Sequence, residues 1–157
     1  MVFEWKDYSC DFSDTADTFL DKEAIENTGC DEGFNKYYDY WLSDKETILN
    51  KNYWCKVVFN DCLPISVISV GKSPNNEFTI SEFIVSPNLR GKGYGTKILQ
   101  ELLKCSNEIL GQEIKIAKAV IFPNNIASQK AFEKAGFIYT GTHPDQDALY
   151  YEYIIGI

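Results

Sequence analysis

Histidine is almost missing from this chain, with His143 alone among 157 residues, and the five cysteines (Cys10, Cys30, Cys55, Cys62, Cys105) never fall in a C-x-x-C pair. That argues against a zinc site and against a disulfide framework, so no metal is expected and each cysteine reads as a small, mostly buried hydrophobe. No apolar run approaches the roughly 18 residues that cross a bilayer. The start, Met1-Val2-Phe3-Glu4-Trp5-Lys6-Asp7, lacks the basic-then-apolar order of a signal peptide, so the expectation is a cytoplasmic protein with no membrane partner. Basic residues are scarce too: 15 Lys and Arg stand against 23 Asp and Glu, a net charge of −8. Nucleic-acid binding needs a basic face and is disfavoured. The deficit is local, because residues 1–50 carry −9 and the remainder +1. An acidic first third that faced a cleft would attract a cation, although a solvated helix surface accounts for the same residues.

What is present is an ordered globule, 45% apolar and 15% aromatic, read as one domain over 1–157. Val2 to Tyr8 is a strand candidate. Ser13 or Asp14 is placed to cap a helix carrying Phe19 and Leu20, and Asp31 to Leu42 spaces Phe34, Tyr37, Tyr38 and Trp41 as a helix does. Ser43-Asp44-Lys45-Glu46 matches a capping box. Three strands follow as a meander, Tyr53 to Phe59, Leu63 to Val70 and Glu77 to Ser86. After a glycine-rich run, Lys97 to Leu110 reads as an amphipathic helix and Ile114 to Phe122 as a strand. Asn125 caps a helix that ends at Gly136, and the strands Phe137 to Thr142 and Ala148 to Ile155 flank the loop His143 to Asp147. The order βααβββαβαββ predicts a mixed α/β fold, a twisted mixed sheet with helices on both faces.

The glycine-rich run, Arg90-Gly91-Lys92-Gly93-Tyr94-Gly95-Thr96, lies between a strand and a helix. Three glycines in five residues allow a tight turn that brings backbone N–H groups close to an anion, and the helix start adds unpaired donors and a positive dipole end. The alternative is a turn that binds nothing. A P-loop needs Gly-Lys followed by Ser or Thr, whereas Gly95 precedes Thr96 and then Lys97. A dinucleotide fingerprint needs a third small residue where Thr96 stands, and an acid after a strand that here finishes in Pro123-Asn124-Asn125.

Arg90-x-x-Gly93-x-Gly95 after Phe83-Ile84-Val85-Ser86-Pro87, followed by Asn125-x-x-Ser128-x-x-x-Phe132-x-x-x-Gly136-Phe137, resembles the acyl-CoA-binding core of the GNAT superfamily of N-acetyltransferases. The two motifs cover residues 78–137, and residues 1–50 match only as one strand and two helices that would wall the acceptor side. The resemblance implies acetyl-CoA as cosubstrate, without a metal. Backbone amides of Arg90, Gly91, Lys92, Gly93, Tyr94, Gly95 and Thr96 would hold the pyrophosphate, with the Arg90 side chain fixing the loop. Ile84 and Val85 would pair with the pantetheine arm where their strand splays from the next. Asn125, beside Ser128, would reach the pantetheine amide, and Phe132 would lie near the sulfur. Lys92, Lys97 or Lys130 would meet the 3′-phosphate.

The same resemblance implies transfer of an acetyl group to an amine. An alkyl ammonium has a pKa of about 10.4, so a base is needed. Glu82 is the candidate, directly or through a water, although a one-residue error in register would turn it away from the cleft. The Val85 N–H is the candidate donor to the acyl oxygen. Phe132 stands where the family commonly has the tyrosine that protonates the leaving thiolate, which leaves Tyr139, Tyr150 and Tyr151 as candidates, or water at some loss of rate. Asp31, Glu32 and Asp39 near Phe34, Tyr37, Tyr38 and Trp41 suit a small cationic acceptor, polyamine-, aminoglycoside- or amino-acid-like. A protein N-terminus or lysine is the alternative, and a non-catalytic acyl-CoA-binding module is the reading of another class. Tyr150-Tyr151-Glu152-Tyr153 is a candidate homodimer surface, which the core explains equally well.

Overall fold

The computed structural model describes residues 1–42, 52–142 and 148–155, without the side chains of 40–42. Seven strands form one sheet: β1 (Glu4–Asp7), β2 (Tyr53–Asn60), β3 (Leu63–Lys72), β4 (Glu77–Val85), β5 (Ile116–Ile121), β6 (Ile138–Thr142) and β7 (Leu149–Ile154). Their spatial order is β1-β2-β3-β4-β5-β7-β6. Every neighbouring pair is antiparallel except β4 and β5, which are joined by a helical crossover and run parallel.

Six helices are seen among the described residues: α1 (Ser13–Thr18), α2 (Lys22–Thr28), α3 (Phe34–Leu42), α4 (Tyr94–Lys104), α5 (Ser106–Leu110) and α6 (Ile126–Lys134). The single helix expected from Ser13 or Asp14 is two. The 3-10 turn Cys10–Phe12 runs straight into α1, so Ser13 is already helical at φ −59°, ψ −44° and the N-cap position of α1 falls to Phe12. Asp21 instead caps α2, accepting from the Ala24 N–H at 2.9 Å, and Gly29 at φ +76° ends it. The helix expected from Lys97 starts three residues earlier and breaks at Cys105, which is outside helical geometry at φ −112°, ψ 25°. Asn125 and Gly136 cap and end α6 as expected. The Ser43-to-Glu46 box and the His143-to-Asp147 loop lie outside the described residues.

Both faces of the sheet are covered, because successive residues of a strand point opposite ways. Val58, Ile68, Val70, Phe78 and Ile80 pack under Ile98, Leu99 and Leu102 of α4 and Phe132 of α6. Val57, Val67 and Ile84 pack with Ala16, Phe19, Ala24 and Phe34 from the N-terminal helices. Cys30 and Cys55 are buried in that second layer, whereas Cys10 and Cys62 are exposed. Burial, chiefly, pushes the Cys55 thiol up to about 12. A thiol reagent is therefore expected to label Cys10 and Cys62 rapidly in the native chain, and Cys30 and Cys55 only on unfolding. Rapid native labelling of Cys55 would contradict this packing.

Candidate functional site

The glycine-rich turn is built from local rules. Pro87–Leu89 forms a 3-10 turn, Gly91 and Gly93 adopt φ +73° and +85°, and Gly93 is the N-cap from which α4 starts. Beside either glycine a Cβ would meet open space, so the backbone angle, not crowding, calls for glycine there. A Cβ added at Gly95, inside the first turn, would lie 3.6 Å from the Ala131 Cβ, so α4 packs beside α6 at this point. The first-turn N–H groups have no partner within the helix. They border a cavity of about 490 Å³ lined by Gly91, Gly93, Tyr94, Gly95 and Thr96, and also by Arg90, Lys130 and Lys134. Donors and cations together make this end of the cavity suited to an anion.

The floor of the cavity is a gap in the sheet. Pairing of β4 with β5 covers Glu77 to Ile80 and stops, although β4 continues to Val85. On the other side β4 stays paired with β3: the Ser86 N–H donates to the Ile65 carbonyl at 2.8 Å, with Ser66 opposite Val85. That register turns the N–H and C=O of Val85 away from β3 and into the gap. The Val85 carbonyl accepts from Arg90 Nε at 3.2 Å, and the Val85 N–H has no ladder partner among the described residues.

Glu82 owes its direction to a bulge. Ile68 pairs with Phe83 and Val70 with Ile80, so Ser69 stands opposite both Ser81 and Glu82. The extra residue reverses the alternation. Phe78 and Ile80 face α4, whereas Glu82 and Ile84 face the N-terminal helices, where Tyr37 of α3 bonds the Glu82 carboxylate. Glu82 is 7% exposed. Burial raises its carboxyl pKa above the usual range, and the Tyr37 hydrogen bond offsets part of that rise. Glu82 does not line the cavity, but Ile84, one step along the same face, does.

The sequence shows a further relation. The chain matches the acetyltransferase (GNAT) family over residues 15–137. It belongs to the GNAT acetyltransferase family. No curated protein sequence matches it. Among solved structures it is similar to RimL, a ribosomal L7/L12 alpha-N-protein acetyltransferase in complex with coenzyme A, at TM-score 0.79 and 13% identity over 98% of this chain and 94% of that one. It is similar to an aminoglycoside acetyltransferase, AAC(6')-Ib, in complex with coenzyme A, at TM-score 0.75 and 16% identity over 98% and 95%. A spermidine N-acetyltransferase from Vibrio cholerae in complex with CoA and spermine gives 0.74 and 12% over 98% and 95%. At such identities the likeness is one of fold.

In this GNAT chain the cavity gathers Ile84, Val85, Arg90, Gly91, Gly93, Tyr94, Gly95, Thr96, Asn125 and Ser128, and leaves out Lys92 and Phe132. Lys92 is exposed at the tip of the turn. Phe132 is 2% exposed, edge-on to Phe83 and Phe137 with ring centroids 6.1 and 4.9 Å away. Asn125 spends its Oδ1 on capping α6, accepting from the Ser128 N–H at 3.3 Å. Tyr139 is not brought to the cavity: it stands on the edge strand β6, 49% exposed, with its hydroxyl 2.6 Å from Thr142 Oγ1. The Tyr151 hydroxyl donates to Glu133 at 3.1 Å. Asp31, Glu32 and Asp39 are exposed, Glu32 paired with Lys36 and Asp39 bonded by Asn35, and none of them lines the cavity. The Trp41 side chain lies outside the described residues.

The helix that lines the cavity on its other side is α2, a separate helix not among those expected from the sequence. Glu23, Ala24, Asn27 and Thr28 line the cavity, and Glu23, Glu26 and Asn27, with Phe122 and Asn124, line a smaller neighbouring one of about 280 Å³. The signal was present in Asp21-x-x-Ala24 as a cap and in the i, i+3, i+4 spacing of residues 23, 26 and 27.

Proposed function

We propose that this GNAT chain is an N-acetyltransferase that moves an acetyl group from acetyl-CoA to a small cationic primary amine, with Glu82 as the general base. Acetyl-CoA supplies the acyl group as an activated thioester. The residues present suit it. The α4 N-terminus, Lys130 and Lys134 form a cationic end for phosphates, and the unpaired edge of β4 offers main-chain groups to an extended, amide-bearing arm. Asn125, capped onto α6 and lining the cavity, presents its remaining amide group to the same arm.

The observation that carries the reading is the bulge at Ser81 and Glu82, which puts a buried carboxylate on the face occupied by the acceptor-side helices, three residues before the free Val85 N–H. A strand rises about 3.3 Å per residue, so Glu82 lies roughly 7 Å along β4 from Ile84 at the cavity, within reach through one water. Glu82 takes the proton that the ammonium must lose. The Val85 N–H donates to the acyl oxygen as charge develops on it; collapse of the tetrahedral intermediate then breaks the C–S bond, forms the amide and releases CoA as a thiolate that takes a proton from water. A module that only bound acyl-CoA would have no use for an ionisable group buried here, which favours turnover over the binding-only reading.

The preference for a cationic acceptor rests on α2. Glu23 borders both cavities, and Glu26 and Phe122 share the smaller one, so acid and aromatic meet beside the gap. A panel of diamines, polyamines, aminoglycosides, amino acids and peptide N-termini, assayed with acetyl-CoA by amine-dependent release of CoA thiol, tests this. Diamines and polyamines are expected to exceed monoamines and neutral peptides in kcat/KM. Turnover confined to peptide N-termini would overturn the acceptor, and no turnover on any amine would overturn the enzyme.

A further inference from the structure

The peptide planes on both sides of Val85 are held by side chains from elsewhere in the fold, and the reading of Val85 as the donor to the acyl oxygen gives those contacts a purpose. The Val85 N–H belongs to the same peptide as the Ile84 carbonyl. Ser66 of β3, fully buried, donates from Oγ to that carbonyl at 2.8 Å. The ladder already directs a backbone N–H at it, because Ser66 and Val85 form a pair whose own hydrogen-bonding groups face outward. Both lone pairs of the Ile84 oxygen are thereby engaged. A peptide bonded twice at its oxygen is held in plane and polarised, which strengthens its N–H as a donor.

The next peptide is held through the Val85 carbonyl. Arg90 Nε donates to it at 3.2 Å, while Nη1 reaches Asp21 Oδ2 at 2.6 Å and Nη2 the Phe19 carbonyl at 3.5 Å. Asp21 divides its carboxylate, one oxygen for Arg90 and the other for the α2 cap at 2.9 Å. Burial alone would raise the Asp21 pKa, but the Ala24 N–H and the Arg90 guanidinium more than offset it, so the group is ionised where the enzyme works. Nη1 also lies 3.4 Å from Glu23 Oε2, and a planar fork that serves four oxygens in different directions is beyond a lysine.

We propose that Ser66 and the Asp21–Arg90 pair are positioning residues for this reaction, locking the two peptides that flank Val85 so that its N–H points at the acyl oxygen. The proposal rests on Val85 being that donor. Neither residue touches the reacting atoms, and the Asp21–Arg90 pair also ties the acceptor wall α2 to the strand that carries the chemistry.

The test uses the full chain with Ser66→Ala, Ser66→Cys, Asp21→Asn and Arg90→Lys, assayed on the best amine of the panel. Asparagine keeps the α2 cap and loses only the charge. Ser66→Ala and Asp21→Asn are each expected to lower kcat about tenfold, below the full loss of an oxyanion donor. CoA affinity by calorimetry should stay within about threefold and the acid limb of the pH profile should not move. Ser66→Cys, with a weak donor, should recover part of the loss. A purely structural role would lower the calorimetric binding stoichiometry along with kcat. The amide proton resonance of Val85 should shift in Ser66→Ala and Asp21→Asn, and this readout needs no turnover. If Ser66→Ala fails to fold, Ser66→Cys and Asp21→Asn decide. Unchanged kcat with an unmoved Val85 resonance overturns the proposal. Should removal of the Val85 N–H itself leave turnover intact, the donor assignment fails instead, and the two failures are distinguished.

Discussion

Glu82→Gln is expected to lower kcat/KM by roughly 10²–10³, the scale of a positioned general base, with CoA affinity nearly unchanged because Glu82 does not line the cavity. The pH profile adds a sign. The base works ionised, and burial raises the Glu82 pKa above the usual carboxylate range, so wild-type kcat/KM should fall on the acid side at a pH above that range. Tyr37 lowers the Glu82 pKa, so Tyr37→Phe should move the limb to higher pH, and Glu82→Gln should abolish it. Stability runs the other way. A carboxyl whose folded pKa is raised holds its proton more tightly when folded, so its contribution is most favourable below the unfolded value of about 4.3 and declines as pH rises to the folded value. Wild type should therefore lose stability relative to Glu82→Gln across that window, measurable as a difference in Tm at acid and neutral pH. Full activity in Glu82→Gln would remove Glu82 from the chemistry.

Val85→Pro deletes one N–H and is expected to cost about 10²–10³ in kcat, the effect of losing an oxyanion donor. Proline is tolerable there because the Val85 N–H faces the gap and not β3, so no ladder bond is lost. Val85→Ala is the control. It keeps the N–H and removes a half-buried side chain packed against the α4 layer, and its kcat should stay within about tenfold of wild type. Far-UV circular dichroism checks that the sheet persists in both. Equal kcat in Val85→Pro and Val85→Ala would mean that the donor lies elsewhere.

Much of the glycine-rich end of the cavity was legible in the chain. Gly91 and Gly93 adopt the positive φ that their turn requires, Asn125 caps α6, and Gly136 at φ +105° ends it. Each is a relation between residues a few positions apart, which sequence spacing expresses directly. Less legible was which N-terminal helix borders the cavity: composition shows that charge is plentiful in residues 1–50 and not which helix the sheet turns toward the gap, and it is α2, not the acidic and aromatic residues of α3, that lines the cavity.

The sequence by itself determined the family, the glycine-rich turn and the succession of strands along the chain, since motif spacing, caps and periodicity are local constraints on the backbone, whereas the order of the strands in the sheet came only with the fold. Only the tertiary structure decided where Glu82 points. Its face depends on a bulge that exists through pairing with β3, and one residue more or less would aim the carboxylate at α4. Only the tertiary structure, likewise, brought Arg90 to Asp21, 69 positions earlier, and the Ser66 hydroxyl to the peptide before Val85. Contacts across such separations follow from packing two layers onto one twisted sheet, and no local spacing encodes them.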